Sequence, residues 1–159
     1  MNFKAVDRGE LIAIVGGIVL GVSLFLTWYT LNNKFTMLEQ CKHPLQPNQP
    51  PVGCTGWNTL GVISYVLALA ALAPLILTYV IVRGHALSWP RGELTAVTAM
   101  TALTLILFRG LIQKPGTPIG QISVGLGWWI GLLGGLLILA GSILRSQESA
   151  GRRKPPGVL

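Results

Sequence analysis

The sequence predicts an all-α membrane protein: an antiparallel bundle of four transmembrane helices with a disulfide-stapled, proline-rich outer loop. Three observations carry this. The 159 residues are 51% hydrophobic and only 11% charged, against about 25% charged in a typical soluble domain. The charges crowd into the gaps between four apolar runs, near residues 11–31, 57–82, 94–112 and 122–144. Each run has roughly the 20 residues that a helix needs to span a hydrocarbon core. Glycines also recur at helical spacing in the first and last runs, the small-residue pattern through which membrane helices approach closely.

The first run reads as a retained signal-anchor helix. Its apolar core exceeds the roughly 7–15 residues of a cleaved signal, and no small-x-small site comes after it. Asp7 and Glu10 stand near its start, where acidic side chains suit the helix dipole. Thr27-Trp28-Tyr29 closes it as an interfacial aromatic belt. Gly17 and Gly21 match the glycine row Gly127, Gly131 and Gly135 of the last run, ISVGLGWWIGLLGGLLILAGSIL. These five residues predict that the first and last helices press together.

The outer loop, residues 32–56, holds Pro44, Pro47, Pro50 and Pro51 between Cys41 and Cys54. Proline at that density favours extended backbone. A Cys41–Cys54 bridge would close about 14 residues and remove about 3 kcal/mol of unfolded-chain entropy. The competing reading, free or metal-binding thiols, has only His43 beside it and no C-x-x-C, so a disulfide is expected and a metal is not. The stapled flap is a candidate docking surface; its plain alternative is a connector shielded from proteolysis.

Trp57 opens the second helix at the outer belt, and Pro74 within it predicts a bend. Ser64, Ala68 and Ala71 keep one side small. Tyr79 and Trp89 mark the inner belt, and Pro90 suits a helix entry. Arg91-Gly92-Glu93-Leu94 repeats Arg8-Gly9-Glu10-Leu11, as expected of tandem hairpins or of shared constraints at a membrane face. Thr95, Thr98, Thr101 and Thr104 draw a slanted band on the third helix. Pore lining is one reading; bonding to their own preceding turn is favoured. Arg109, in LILFRGLI, is a charge near the outer end of that helix and a functional candidate by default. Headgroup phosphates, Glu39 of the loop or another subunit are its candidate partners. Residues 1–144 form the transmembrane domain, and the polar, basic tail 145–159 is expected to be disordered.

The net charge of +7 is dispersed over membrane-flanking segments, with no basic face interleaved with aromatics, so nucleic-acid binding is not expected. Eight basic residues flank one side and four the other, which places both termini in the cytoplasm. That orientation also puts the cysteines where disulfides persist.

LFLTWY, CTGWNTLG, LILFRGLIQKPG and GWWIGLLGGLLILAG together resemble small, uncharacterised bacterial four-transmembrane-helix membrane proteins. The resemblance implies a bacterial cell membrane and brings no activity. Four helices with a paired-cysteine outer loop are also similar in architecture to claudin-like tetraspans. The chain departs from these: no Trp stands shortly before Cys41, and the loop is too short for their extracellular sheet.

No catalytic residue and no cofactor are expected. A hydrolase needs a nucleophile with an oriented base, and a proton-coupled transporter needs ionisable groups within its helices. The function expected is that of a non-catalytic accessory or scaffold protein. It would dock membrane proteins, itself or lipids of the bilayer through its glycine faces and outer loop. Arg109, Trp28, Trp57 and Trp128 are its candidate contacts. A small homo-oligomeric channel or transporter subunit is the alternative. A quinone-linked membrane thiol oxidoreductase is the third and weakest reading.

Overall fold

The computed structural model describes residues 7–31, 53–83, 91–115 and 122–151. The described chain is mostly helical: α1 (Arg8–Ser23), a short α2 (Gly56–Leu60), α3 (Val62–Val82), α4 (Arg91–Leu107) running into a π-turn (Phe108–Ile112), and α5 (Leu126–Gly151). Three strands accompany them, β1 (Thr27–Leu31), β2 (Gly53–Thr55) and β3 (Ile122–Val124). Three helical stretches are long and apolar enough to cross a membrane: Val62–Val82, Gly92–Ile112 and Leu126–Gln147. With 16 residues, α1 is shorter than the roughly 20 of a usual crossing.

The first apolar run therefore does not stay helical from 11 to 31. The Ser23 hydroxyl bonds the Leu20 carbonyl at 2.6 Å. The next three amides take i→i−3 partners, Leu24 to Gly21, Phe25 to Val22 and Leu26 to Ser23, which winds the helix tight and ends it. The Trp28 indole then donates back to the Ser23 carbonyl at 2.7 Å, occupying an acceptor the helix has left open. From Thr27 to Thr30 the side chains are β-branched or aromatic, and this stretch pairs as a strand.

β1 is the centre of a three-stranded sheet with order β2-β1-β3, antiparallel on both sides. Tyr29 faces Cys54 in one register and Val124 in the other. A reading of the sequence as helices joined by loops is thus corrected by the presence of a sheet. The strands come from the two flanks of the proline-rich loop and from the residues before α5, and need none of its middle. The loop expected over 32–56 also ends earlier than 56, since 53–55 are strand and Gly56 starts α2.

Two further boundaries differ. Gly61 takes φ +55°, a left-handed value glycine adopts without strain, and it breaks the second run into α2 and α3. At the other end, α5 continues to Gly151, so residues 145–151 are helix rather than disordered tail. The remainder of the tail, residues 152–159, lies outside the described residues.

α5 lies between α1 and α4, and α3 touches both α1 and α4. The closest approach is α1 on α5, and glycine makes it. A methyl group on Gly16 would stand 2.7 Å from the Ile138 amide nitrogen, and one on Gly134 would stand 2.6 Å from that of Leu20. At the end away from the sheet, one on Gly9 would meet the Gly141 carbonyl at 2.6 Å. Gly92, the counterpart of Gly9 in the repeated tetrad, abuts Ser142 and Ser146. Both copies of Arg-Gly-Glu-Leu thus seat their glycine on the same helix, α5, one from each side.

Candidate functional site

The chemistry-bearing side chains gather at the sheet end, where α1 and α4 finish and α3 and α5 begin. The π-turn is the pivot. In it the Gln113 amide bonds the Phe108 carbonyl, five residues back, at 2.8 Å. Two long-range donors from elements distant in sequence grip this turn and the end of α4 that leads into it. The Tyr29 hydroxyl of β1 donates to the Arg109 carbonyl at 2.9 Å, and the Trp128 indole of α5 donates to the Ile106 carbonyl at 2.9 Å. Gly110 supplies the room, because a side chain there would collide with the Trp128 ring. π-turns occur disproportionately at functional sites, and this one is fixed by partners on both sides.

Trp28 and Trp128 are 0% and 3% exposed. The expectation that both are contacts for a partner or lipid, Trp28 within an outer aromatic belt, is corrected. Glycines let the rings in. Gly127 and Gly131 face Trp28 from α5, and Gly56 faces it from α2. Trp57 is half-buried, tilted against Phe25 at 5.9 Å and edge-on to Tyr65 at 5.5 Å, and its indole nitrogen is buried without a hydrogen-bond partner. Trp129 is 56% exposed and stands edge-on to Trp128.

Of the five glycines expected to join α1 to α5, Gly127 and Gly131 face the end of α1, its Ser23 and the Trp28 beyond it. Gly17 instead admits α3, with the Ala71 carbonyl 2.5 Å and Pro74 Cγ 3.0 Å from where its methyl would stand. Gly21 also looks toward Ala71, across an open 3.8 Å, and Gly135 abuts Leu103 of α4. The α1–α5 seam itself is drawn by Gly9, Gly16, Gly134 and Gly141. Sequence spacing marks which helices are glycine-rich; four-residue steps alone do not say which neighbour each glycine admits.

Tyr29 is 0% exposed. Burial pushes its phenol up to about 12, against the smaller opposing pull of the Arg109 guanidinium, so it stays a neutral donor. Arg109 is itself half-buried, and its Nε is buried with no hydrogen-bond partner. Cys54, on β2, is 2% exposed; Cys41 and the proposed bridge lie outside the described residues, as do His43 and Glu39. Among the described residues, no group of three or more His, Cys, Asp or Glu is assembled.

At the opposite end, a pair that sequence reasoning does not unite is buried. Glu10 Oε1 stands 2.8 Å from Arg145 Nη2, the two side chains 4% and 7% exposed. Glu10 is thus an interior charge, not a solvated helix start. Oε1 makes no hydrogen bond, so the contact is charge on charge. Nearby, the Thr95 and Ser142 hydroxyls meet at 3.0 Å. Thr98 bonds Leu94 and Thr95, Thr101 bonds Val97, and Thr104 bonds Met100, all to carbonyls of their own preceding turn. Compared with protein-family models, with curated proteins and with solved structures, the chain finds no match in any of the three.

Proposed function

We propose that this chain is a non-catalytic accessory protein of the cell membrane, crossing it four times with both termini in the cytoplasm, and that its outer loop docks partner membrane proteins. In this reading α1 is a fourth, short crossing of about 24 Å, and the sheet lies beyond it at the outer headgroups. Bacterial origin rests on the resemblance alone.

The observation that supports docking is how the two ends of residues 32–52 are held. The described residues on either side of that segment are the paired strands β1 and β2, set on a platform of buried Trp28, Tyr29 and Trp128. A loop presented from a rigid base loses less entropy on binding a partner. A Cys41–Cys54 bridge belongs to the same proposal; it is supported by the finding that no described cysteine is free. The inner glycines are taken up by the chain's own packing, so docking falls to the loop rather than to glycine faces.

A photo-crosslinker at exposed Asn58, beside the sheet, tests this in cells. The expected result is a discrete adduct with a different protein, lost when residues 34–50 are replaced by a short glycine-serine linker. Absence of any adduct, or an adduct only with a second copy together with solute flux in liposomes, would replace docking with the channel reading.

A further inference from the structure

The sheet end carries a charge that the described chain does not answer. Arg109 is held in place by the π-turn, whose backbone Tyr29 grips at the Arg109 carbonyl itself. Its Nε is buried and unpartnered. The carboxylates within the described residues, Asp7, Glu10, Glu93 and Glu148, all belong to the opposite end, where α1 and α4 start and α5 finishes. Lys114, five residues on, adds a second positive charge to the same end of α4. Around this charge the surface is apolar and open, with Leu111 66% and Ile112 77% exposed. A cation lodged among exposed aliphatic side chains matches one ligand class, a phosphate diester joined to acyl chains. Guanidinium is the side chain best shaped for phosphate, which it meets with two parallel N–H donors.

We infer that Arg109, with Lys114, seats the phosphate of an anionic phospholipid, its acyl chains lying against Leu111 and Ile112. The inference rests on the proposal that this end sits at a membrane surface; it does not depend on the docking loop. The bound lipid neutralises the turn's charge and ties the sheet end to the headgroup layer.

The test uses the full chain in mild detergent. Binding of phosphatidylglycerol, of phosphatidylcholine with the same acyl chains, and of inorganic phosphate is read by native mass spectrometry and by thermal midpoint. Phosphatidylglycerol is expected to bind more tightly than phosphatidylcholine, and inorganic phosphate not to compete. Arg109→Gln keeps the backbone carbonyl that Tyr29 holds and should weaken phosphatidylglycerol binding by about tenfold to a hundredfold, the worth of a lost charge-assisted contact. Equal binding of the two lipids by the unaltered protein would overturn the inference without recourse to any variant. So would competition by inorganic phosphate, which points to a soluble anion, or an Arg109→Gln protein with an unchanged melt in phosphatidylcholine and unweakened phosphatidylglycerol binding. Membrane insertion is read separately by resistance to alkaline carbonate extraction, so each proposal can fail alone.

Discussion

Substituting alanine for one glycine at a time separates two kinds of close approach. At Gly134 the added methyl would stand 2.6 Å from the Leu20 amide nitrogen and 2.9 Å from both the Gly16 carbonyl oxygen and Leu20 Cα. All three are backbone atoms of α1 and cannot swing aside, so the two helices must part. Overpacking of this kind costs about 1–3 kcal/mol, offset by up to about 1 kcal/mol of alanine's better helix propensity. The net loss of about 1–2 kcal/mol corresponds to a fall in Tm of about 3–8 °C for a chain of this length. Gly21→Ala is the internal control. Its methyl would meet nothing nearer than Ala71 Cβ at 3.8 Å, ordinary contact, so only the propensity gain remains and Tm should hold or rise by about 2 °C. Both variants are melted in the same detergent, followed by tryptophan fluorescence. If Gly134→Ala melts with or above the parent protein, or Gly21→Ala falls further than Gly134→Ala, the α1–α5 seam is not where the structure puts it.

The remaining predictions concern the two ends. The Tyr29 phenol, raised from 10 to about 12, holds its proton more tightly folded than unfolded, so its contribution is complete below pH 10 and is lost as pH rises toward 12. Alkaline melts should lose about 3 kcal/mol across that window, and Tyr29→Phe should flatten that part of the profile while costing about 1 kcal/mol at pH 7. Trp128→Phe removes the donor to Ile106 and leaves a gap over Gly110; a loss of about 1–3 kcal/mol in denaturant titration is expected. Glu10→Ala removes the buried carboxylate that faces the Arg145 guanidinium and should cost about 3–5 kcal/mol, whereas Glu10→Met with Arg145→Met should recover most of it. A double variant no more stable than the single one would show the pair to be more than a compensated charge.

The span-length apolar helices are legible in the sequence because hydropathy measures them directly, and all three overlap the runs that composition marks, with ends shifted by a few residues. The three-stranded sheet is not. Leu24 to Tyr29 continues the apolar run of α1 without a glycine or proline, so hydropathy cannot see where helix ends. The signal present is the strand-favouring Thr-Trp-Tyr-Thr, which an aromatic belt explains equally well from sequence. Burial of Trp28 and Trp128 is hidden for a related reason: an indole at a helix end has the same sequence signature whether it faces lipid or a glycine notch. Glu10 and Arg145 are 135 positions apart, and nothing local links them. The repeated Arg-Gly-Glu-Leu does point to that end, but it marks two glycines docking on one helix rather than two symmetric hairpins. Arg109 is the reverse case. A lone charge inside an apolar run is conspicuous in sequence, though the π-turn that fixes it depends on Tyr29 and Trp128 arriving from afar.

Orientation across the bilayer is the claim on which the docking loop and the cysteine bridge both depend. Single cysteines introduced at exposed Gln113, near the sheet end, and at exposed Gln147, near the other, report it when treated with a membrane-impermeant maleimide. In intact spheroplasts Gln113→Cys should label at once and Gln147→Cys only after lysis. The opposite order, or equal labelling of both positions before lysis, would contradict a chain whose sheet faces outward from a membrane.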